Sequence, residues 1–187
     1  MSSSTSVTNA WDTIAVSDFD TGDRDVLVVP RPGIAGLDDA DLRAAVQAGR
    51  IHEYLAPVRP DRIGFEVRGG LAELRLKFRP FADDVIGLVT SFFDQFGPPQ
   101  IRLRMEITRT QSCPKFHTDN LQMRLVTTYL GPTTEYQFAG ASEVHSAPLG
   151  GLVFLKGHRH ATHRDGVHHR SPAVPAGEKR LCIAIDF

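Results

Sequence analysis

The feature that most constrains the fold is a change in hydrophobic period directly after Pro99. From residue 101 to residue 108 (IRLRMEIT) apolar and polar side chains alternate, which predicts a half-buried β-strand. A second such stretch, residues 123–130, ends at Gly131 and Pro132. Further short strands are predicted at about residues 133–138, 151–155 and 180–187. Several short strands separated by turn residues, with no helical pattern between them, indicate an antiparallel sandwich or barrel.

The N-terminal half has a different pattern. Residues 38–48 and 81–96 predict helices, because each has acidic residues near its start and a glycine just after its end. Residues 25–29 predict a short strand, and residues 54–60 are interrupted by two prolines. The stretch 70–78 (GLAELRLKF) fits a helix or a strand equally well.

These patterns predict how the chain is organised. Residues 1–22, polar and rich in Ser and Thr, are expected to form a flexible tail, although Trp11 is a candidate for docking on the body of the protein. Residues 23–187 are expected to form one α+β domain, in which a mainly helical cover (23–99) packs on a β-barrel (100–187) that carries the functional site.

Composition narrows the class of protein. The chain has 187 residues, 41% of them hydrophobic and 23% charged, as in soluble globular domains. A formal charge of −1 gives no strong signal for nucleic acid. The sequence also lacks an apolar run of about 18 residues, the length that a membrane span needs. Cys113 and Cys182 do not make a disulfide framework, so a cytoplasmic location is predicted. The oligomeric state cannot be predicted.

A metal site is predicted from the segment CPKFHTD. On extended backbone, His117 and Asp119 point to the same side, so that one rigid element offers two ligands to one ion. The third ligand must come from a distant strand, and His169 is the best candidate for it. Two imidazoles and one carboxylate on one face of an octahedron are the ligand set of non-haem Fe(II) oxygenases. No catalytic residue beyond the metal ligands is predicted.

Two further side chains are candidates for binding an organic acid. Arg180 begins the final strand, RLCIAIDF, and a bidentate carboxylate would satisfy its guanidinium if that group is buried. Tyr129 is placed to donate a phenolic hydrogen bond to the same acid. Arg124, between apolar neighbours, is expected to pair with a carboxylate near the pocket.

The order HTD, MRLVTTYLG and HRSPAVPAGEKRLCIAIDF resembles the prolyl-hydroxylase-like branch of the Fe(II)/2-oxoglutarate dioxygenases over about residues 100–187. This resemblance implies a double-stranded β-helix (a jelly-roll, cupin-like barrel). It also implies metal ligands at His117, Asp119 and His169, and 2-oxoglutarate contacts from Arg180 and Tyr129. A shift of one residue in register would substitute His168 for His169, or Lys179 for Arg180, and these alternatives remain open.

Through CPKFHTD, RLVTTYLGPTTEY and HRSPAVPAGEKR, the whole chain also resembles a bacterial family labelled domain of unknown function 1826. That family's association with genes of zinc homeostasis keeps zinc as the alternative metal. Five of the eight histidines lie between His158 and His169. Of these, His158, His160 and His163 are candidates for a second metal site or a substrate-binding loop; a solvated cationic loop is the other interpretation.

Two functional hypotheses follow. The first is an Fe(II)- and 2-oxoglutarate-dependent oxygenase that hydroxylates an unknown small-molecule or peptide substrate. The second is a zinc-binding or metal-homeostasis protein of the same fold without redox chemistry.

Overall fold

The computed structural model describes residues 10–187, and its elements alternate between helices and strands in the N-terminal half. The helices are α1 (Thr13–Thr21), α2 (Asp39–Ala48), α3 (Ile63–Glu73, preceded by a 3-10 turn at Pro60–Arg62) and α4 (Arg79–Phe96). The strands are β1 (Val26–Val29), β2 (His52–Val58), β3 (Ile101–Thr108), β4 (Met123–Leu130), β5 (Glu135–Phe138), β6 (His145–Ser146), β7 (Leu152–Lys156), β8 (Val167–Arg170) and β9 (Arg180–Asp186).

The strands form two antiparallel sheets. The larger sheet has six strands in the order β1-β7-β4-β9-β3-β2, and the smaller has three in the order β6-β5-β8. The prediction of an α+β fold with antiparallel strands is therefore confirmed.

The two faces of the larger sheet have different roles. On β9, Leu181, Ile183 and Ile185 point into the main hydrophobic core, together with the apolar face of α4. Cys182 and Ala184 point to the opposite face, with a smaller apolar cluster. This alternation follows from the two-residue period of a strand. It means that side chains at even positions of β9 face away from the helices, and the candidate site lies on that face.

Most predicted elements are confirmed, including both predicted helices and the strands at 25–29, 101–108 and 123–130. Of the ambiguous stretch 70–78, residues 70–73 form the end of α3. The helix stops at Glu73, and Arg75 then adopts a left-handed conformation with φ 60°. Residues 54–60 were not predicted to be a strand, yet β2 runs through Pro57. Since β2 lies at the edge of the sheet, the missing N–H of a proline is tolerated there.

The predictions for the N-terminal region need two corrections. Residues 1–9 of the predicted tail lie outside the described residues. From residue 10 onward the chain is ordered: α1 buries Phe19 completely, and the ring of Trp11 contacts Phe154 edge-on at 5.1 Å between centroids. The segment 23–99 is also more than a helical cover, because β1 and β2 form the two edge strands of the larger sheet. Within residues 10–187, no helix combines the length and the apolarity needed to cross a membrane.

Candidate metal centre

The three predicted ligands meet where the two sheets approach each other. His117 forms an isolated antiparallel bridge with His169 of β8, with backbone N–H···O distances of 3.0 and 2.9 Å in the two directions. Asp119 follows two residues later. Its Oδ2 lies 3.0 Å from His169 Nε2, and its Oδ1 lies 3.6 Å from His117 Nε2. The fold thus brings together two residues from one short segment and a third from a strand about 50 residues away.

The protonation states favour ligation. Burial raises the pKa of Asp119, but a hydrogen bond from His169 and the charge of Arg124 outweigh it, so that the pKa of this carboxyl is lowered to about 2. Burial lowers the pKa of His169, against the opposing effect of Asp119. Ionised carboxylate and neutral imidazole are the forms that bind metal ions, so both groups are ready to do so at neutral pH.

A network of ion pairs fixes the carboxylate of Asp119. Arg124 Nη1 lies 2.5 Å from Asp119 Oδ2, while its Nη2 lies 2.6 Å from Oδ2 of the buried Asp186. Arg102 donates to the other oxygen of Asp186 at 2.8 Å. The expectation that Arg124 pairs with a carboxylate near the pocket is confirmed. Asp186 and its role in bracing Arg124 were not predicted.

The donor set fits a metal ion with open coordination positions. The donor atoms of His117, Asp119 and His169 all lie within 4.8 Å of one another, and no fourth His, Cys, Asp or Glu joins them among residues 10–187. Two donors about 2.1 Å from an ion and at right angles to each other are roughly 3.0 Å apart, close to the shortest separation seen here. Closed structural zinc sites commonly have four protein ligands, whereas three protein ligands leave coordination positions for water or a substrate.

Arg180 lies in the same cleft as the triad. Arg180 is only 4% exposed, and its Nε donates to Pro132 O at 2.9 Å. Its Nη2 donates to Thr128 Oγ1 at 3.1 Å and to Thr134 Oγ1 at 3.2 Å. Among the described residues, no carboxylate lies within ion-pair distance of this guanidinium. The cleft is lined by residues of both sheets and the intervening loops: Arg104, Glu106, Cys113, His117, Arg124, Val126, Thr134, His169, Arg170, Ser171, Arg180, Cys182 and Ala184.

Tyr129 does not join this cleft, and its predicted role is corrected. It is the extra residue of a β-bulge in β4, where Thr128 pairs with Cys182 and Leu130 pairs with Leu181. Its ring points into the helix-covered core, and its hydroxyl donates to Asp84 Oδ2 at 2.6 Å. Thr128, on the other face, takes the place beside Arg180. Side-chain alternation along β4 is the signal that separates these two neighbours.

The two members of each register alternative differ in where their side chains point. His168 faces away from the triad, with its Nε2 3.4 Å from Asp165 Oδ1. Lys179 is buried beneath the end of α2, where its Nζ donates to the carbonyl oxygens of Val46, Gln47 and Gly49. His169 and Arg180 are therefore the members of each pair that face the cleft.

The predicted second site is brought together only in part. The donor atoms of His158 and His163 lie within 4.8 Å of each other and of Asp165, a residue that was not predicted. His160 points elsewhere, with its Nε2 2.9 Å from Asp20 Oδ1.

Comparisons with known proteins were made for sequence and for structure. A comparison with curated protein sequences finds no match. Among solved structures, a dioxygenase for auxin oxidation in rice is 18% identical over 95% of this chain and 77% of its own, with a TM-score of 0.49. A Pseudomonas putida prolyl-4-hydroxylase is 15% identical over 94% of this chain and 97% of its own, with a TM-score of 0.44. JOX2 in complex with 2OG, Fe and JA is 10% identical over 92% of this chain and 70% of its own, with a TM-score of 0.49.

A family model matches residues 66–186, which include α4, every strand from β3 to β9, the three candidate ligands and Arg180. Because this match spans well over half of the sequence, the chain belongs to the family described as protein of unknown function (DUF1826).

Proposed function

We propose that the protein is a non-haem Fe(II)- and 2-oxoglutarate-dependent oxygenase that hydroxylates a small-molecule or peptide substrate. One observation carries the proposal: a buried guanidinium without an acid partner among the described residues opens into the cleft that also holds a two-histidine, one-carboxylate triad. The two facing antiparallel sheets support the double-stranded β-helix that such enzymes use.

Arg180 supports the binding of a dicarboxylate. Burying a charged group without a counter-ion is costly, and the hydrogen bonds from Arg180 to one carbonyl and two hydroxyl oxygens offset only part of that cost. A carboxylate in the cleft would supply the missing charge through paired N–H···O hydrogen bonds. The hydroxyls of Thr128 and Thr134 would hold the guanidinium in place for that contact.

The remaining residues of the cleft have separable roles. His117, Asp119 and His169 would hold the iron, and Arg124 keeps the Asp119 carboxylate ionised and oriented. Val126, Cys182 and Ala184 form the apolar part of the cleft wall. Bound Fe(II) with 2-oxoglutarate supplies dioxygen activation and oxidative decarboxylation, which lead to hydroxylation of a C–H bond. The protein would supply the metal ligands and the orientation of the bound acid.

The test does not require the unknown substrate. With Mn(II) in place of iron, calorimetry should detect 2-oxoglutarate binding to the full chain, and binding should be weakened at least about tenfold by Arg180→Gln, which removes a charge-assisted contact. Tyr129→Phe is the matched control, because Tyr129 lies on the other face of β4. With Fe(II) and ascorbate, wild-type protein should also form succinate above background.

Two results would contradict the proposal. One is the absence of any metal-dependent 2-oxoglutarate binding. The other is the purification of the protein under anaerobic, chelator-free conditions with stoichiometric zinc in the triad that iron does not displace. The second result would favour a zinc-handling role for the same residues.

A further inference from the structure

A second cluster of metal-ligating side chains lies in the loop between β7 and β8. The imidazoles of His158 and His163 and the carboxylate of Asp165 offer donor atoms within 4.8 Å of one another. None of these residues belongs to the triad of His117, Asp119 and His169, and none lines the cleft with Arg180. The chemistry of this cluster is therefore separate from that of the proposed oxygenase.

His163 is the residue in this cluster that points to a ligand. Its side chain is only 9% exposed, and both ring nitrogens are buried without a hydrogen-bond partner among the described residues. Buried polar atoms are nearly always paired, since leaving one unpaired costs the full free energy of its desolvation. Nε2 lies 3.8 Å from Asp165 Oδ1. This is near the roughly 3.4 Å expected between two donors of a tetrahedral ion.

Asp25 lies on the other side of the His163 ring. Its Oδ1 lies 3.3 Å from His163 Nδ1 without hydrogen-bond geometry, while Nε2 is the nitrogen that faces Asp165. Asp25 is itself 4% exposed and is fixed by hydrogen bonds from the backbone N–H groups of Arg164 and Gly166. In metal-bound histidines the non-ligating ring N–H usually donates to such a carboxylate, and Asp25 is the residue within reach to accept that hydrogen bond when an ion occupies the cluster.

The loop is joined by backbone contacts to the segment that carries the first site. The N–H of His158 donates to Asp119 O at 2.9 Å, and the N–H of Gly157 donates to Gln122 O at 3.0 Å. A Cβ on residue 157 would lie 2.7 Å from Asp119 O and 2.2 Å from Leu121 O, which is why glycine is needed at this contact. An ion held by the loop would therefore brace the backbone around Asp119.

We propose that His158, His163 and Asp165 form a second, structural site for a divalent transition-metal ion of the zinc class, which fixes the β7–β8 loop against the Asp119 segment. Imidazole and carboxylate ligands at this spacing suit zinc, which accepts four-coordinate geometry, with water as the remaining ligand.

The experiment counts metal ions bound to the metal-free full chain, using equilibrium dialysis with Zn²⁺ and the visible absorption of Co²⁺ as the report of geometry. Wild-type protein should bind two equivalents. Asp165→Asn with His158→Gln should bind one, and His117→Gln with Asp119→Asn should also bind one. Asn suits position 165, where φ is 57° and the side chain is 65% exposed, so folding should be preserved. His52→Gln, at a histidine paired with Glu73, is the matched control and should bind two.

Several outcomes would overturn the second site. One is a wild-type protein that binds a single equivalent, lost when His117 and Asp119 are replaced. Another is a second equivalent that survives the Asp165→Asn and His158→Gln replacements. A third is a loss of both equivalents after replacement of either pair, because the two ions would then not occupy independent sites. A wild-type protein that binds a single equivalent, lost only when His158 and Asp165 are replaced, would count against the proposed oxygenase and leave the second site standing.

Discussion

Asp119 is held by three neighbours at once. Its carboxylate forms an ion pair with Arg124 on one side, and its two oxygens face the imidazoles of His169 and His117 on the other. Arg124 in turn bridges Asp119 to the buried Asp186. The two carboxylates therefore share the Arg124 guanidinium, and the contribution of this guanidinium to stability can be tested without any metal.

Replacing Arg124 by Gln should destabilise the metal-free protein by about 2 kcal/mol, because Asp119 loses its arginine partner and Asp186 keeps only Arg102. Urea denaturation of wild type and variant at neutral pH measures the change in the free energy of unfolding. Arg104→Gln on β3 is the control, since both side chains of its ion pair with Glu53 are 41% exposed and the pair should contribute less than about 1 kcal/mol. Equal losses in the two variants would argue against a special role for Arg124.

The low pKa of Asp119 predicts how stability varies with pH. A carboxyl whose pKa is about 2 in the folded protein, below its usual value of about 4, stabilises the fold above pH 4 and loses this contribution as the pH falls toward 2. For a side chain that is 18% exposed the contribution is about 2 kcal/mol at neutral pH. The difference in unfolding free energy between metal-free wild type and Asp119→Asn should therefore shrink as the pH falls from about 4 to about 2. A pH-independent difference would contradict the assignment.

The residues of the site were predicted unevenly, for physical reasons. His117 and Asp119 share a side of an extended segment, and that parity can be read directly from their spacing. Arg180 was found by the same parity along β9. Tyr129 was given a place in the site by the family resemblance, although alternation along β4 puts it on the same face as Met123 and Leu125, which point into the main core. Asp186 was missed because its partner, Arg124, comes from another strand.

At the scale of elements, the strands missed by sequence patterns are short or interrupted. β2 contains Pro57, which usually argues against a strand, but an edge position removes the objection. β8 has only four residues, with histidines at its two central positions, so it lacks an apolar pattern. Its pairing with β5 and its bridge at His169 give it structure. Tertiary contacts, which are absent from local sequence, decide both cases.

Helix α1 offers a direct test of whether the N-terminal segment is part of the fold. Phe19 is completely buried, and its ring lies 6.4 Å from that of Phe154 between centroids. Phe19→Ala should therefore lower the free energy of unfolding by about 3–5 kcal/mol. Ile14→Ala in the same helix is the control, because Ile14 is 72% exposed and its replacement should change stability by less than about 0.5 kcal/mol. A similar small effect of both replacements would restore the interpretation as a tail.

At the scale of the whole molecule, the hydrophobic core and the candidate site lie on opposite faces of the larger sheet. One face of the larger sheet packs on the helices and contains the main core. The other face, with the smaller sheet, provides the charged cleft in which Arg180 and the triad lie. Metal binding would link the two sheets directly, since His169 lies on β8 of the smaller sheet and Asp119 is tied through Arg124 to β4 and β9 of the larger.

That link predicts that metal stabilises the whole chain. In protein carrying Asp165→Asn, which leaves only the triad, Mn(II) at 100 times its dissociation constant should add about 2.7 kcal/mol of stability. For a chain of this length the melting temperature should rise by roughly 5–10 °C, as followed by circular dichroism. Adding His117→Gln and Asp119→Asn to this variant should abolish the rise in melting temperature. In the variant that carries only Asp165→Asn, a chelator should reverse the rise. An equal rise with and without the triad ligands would mean that the ion binds elsewhere.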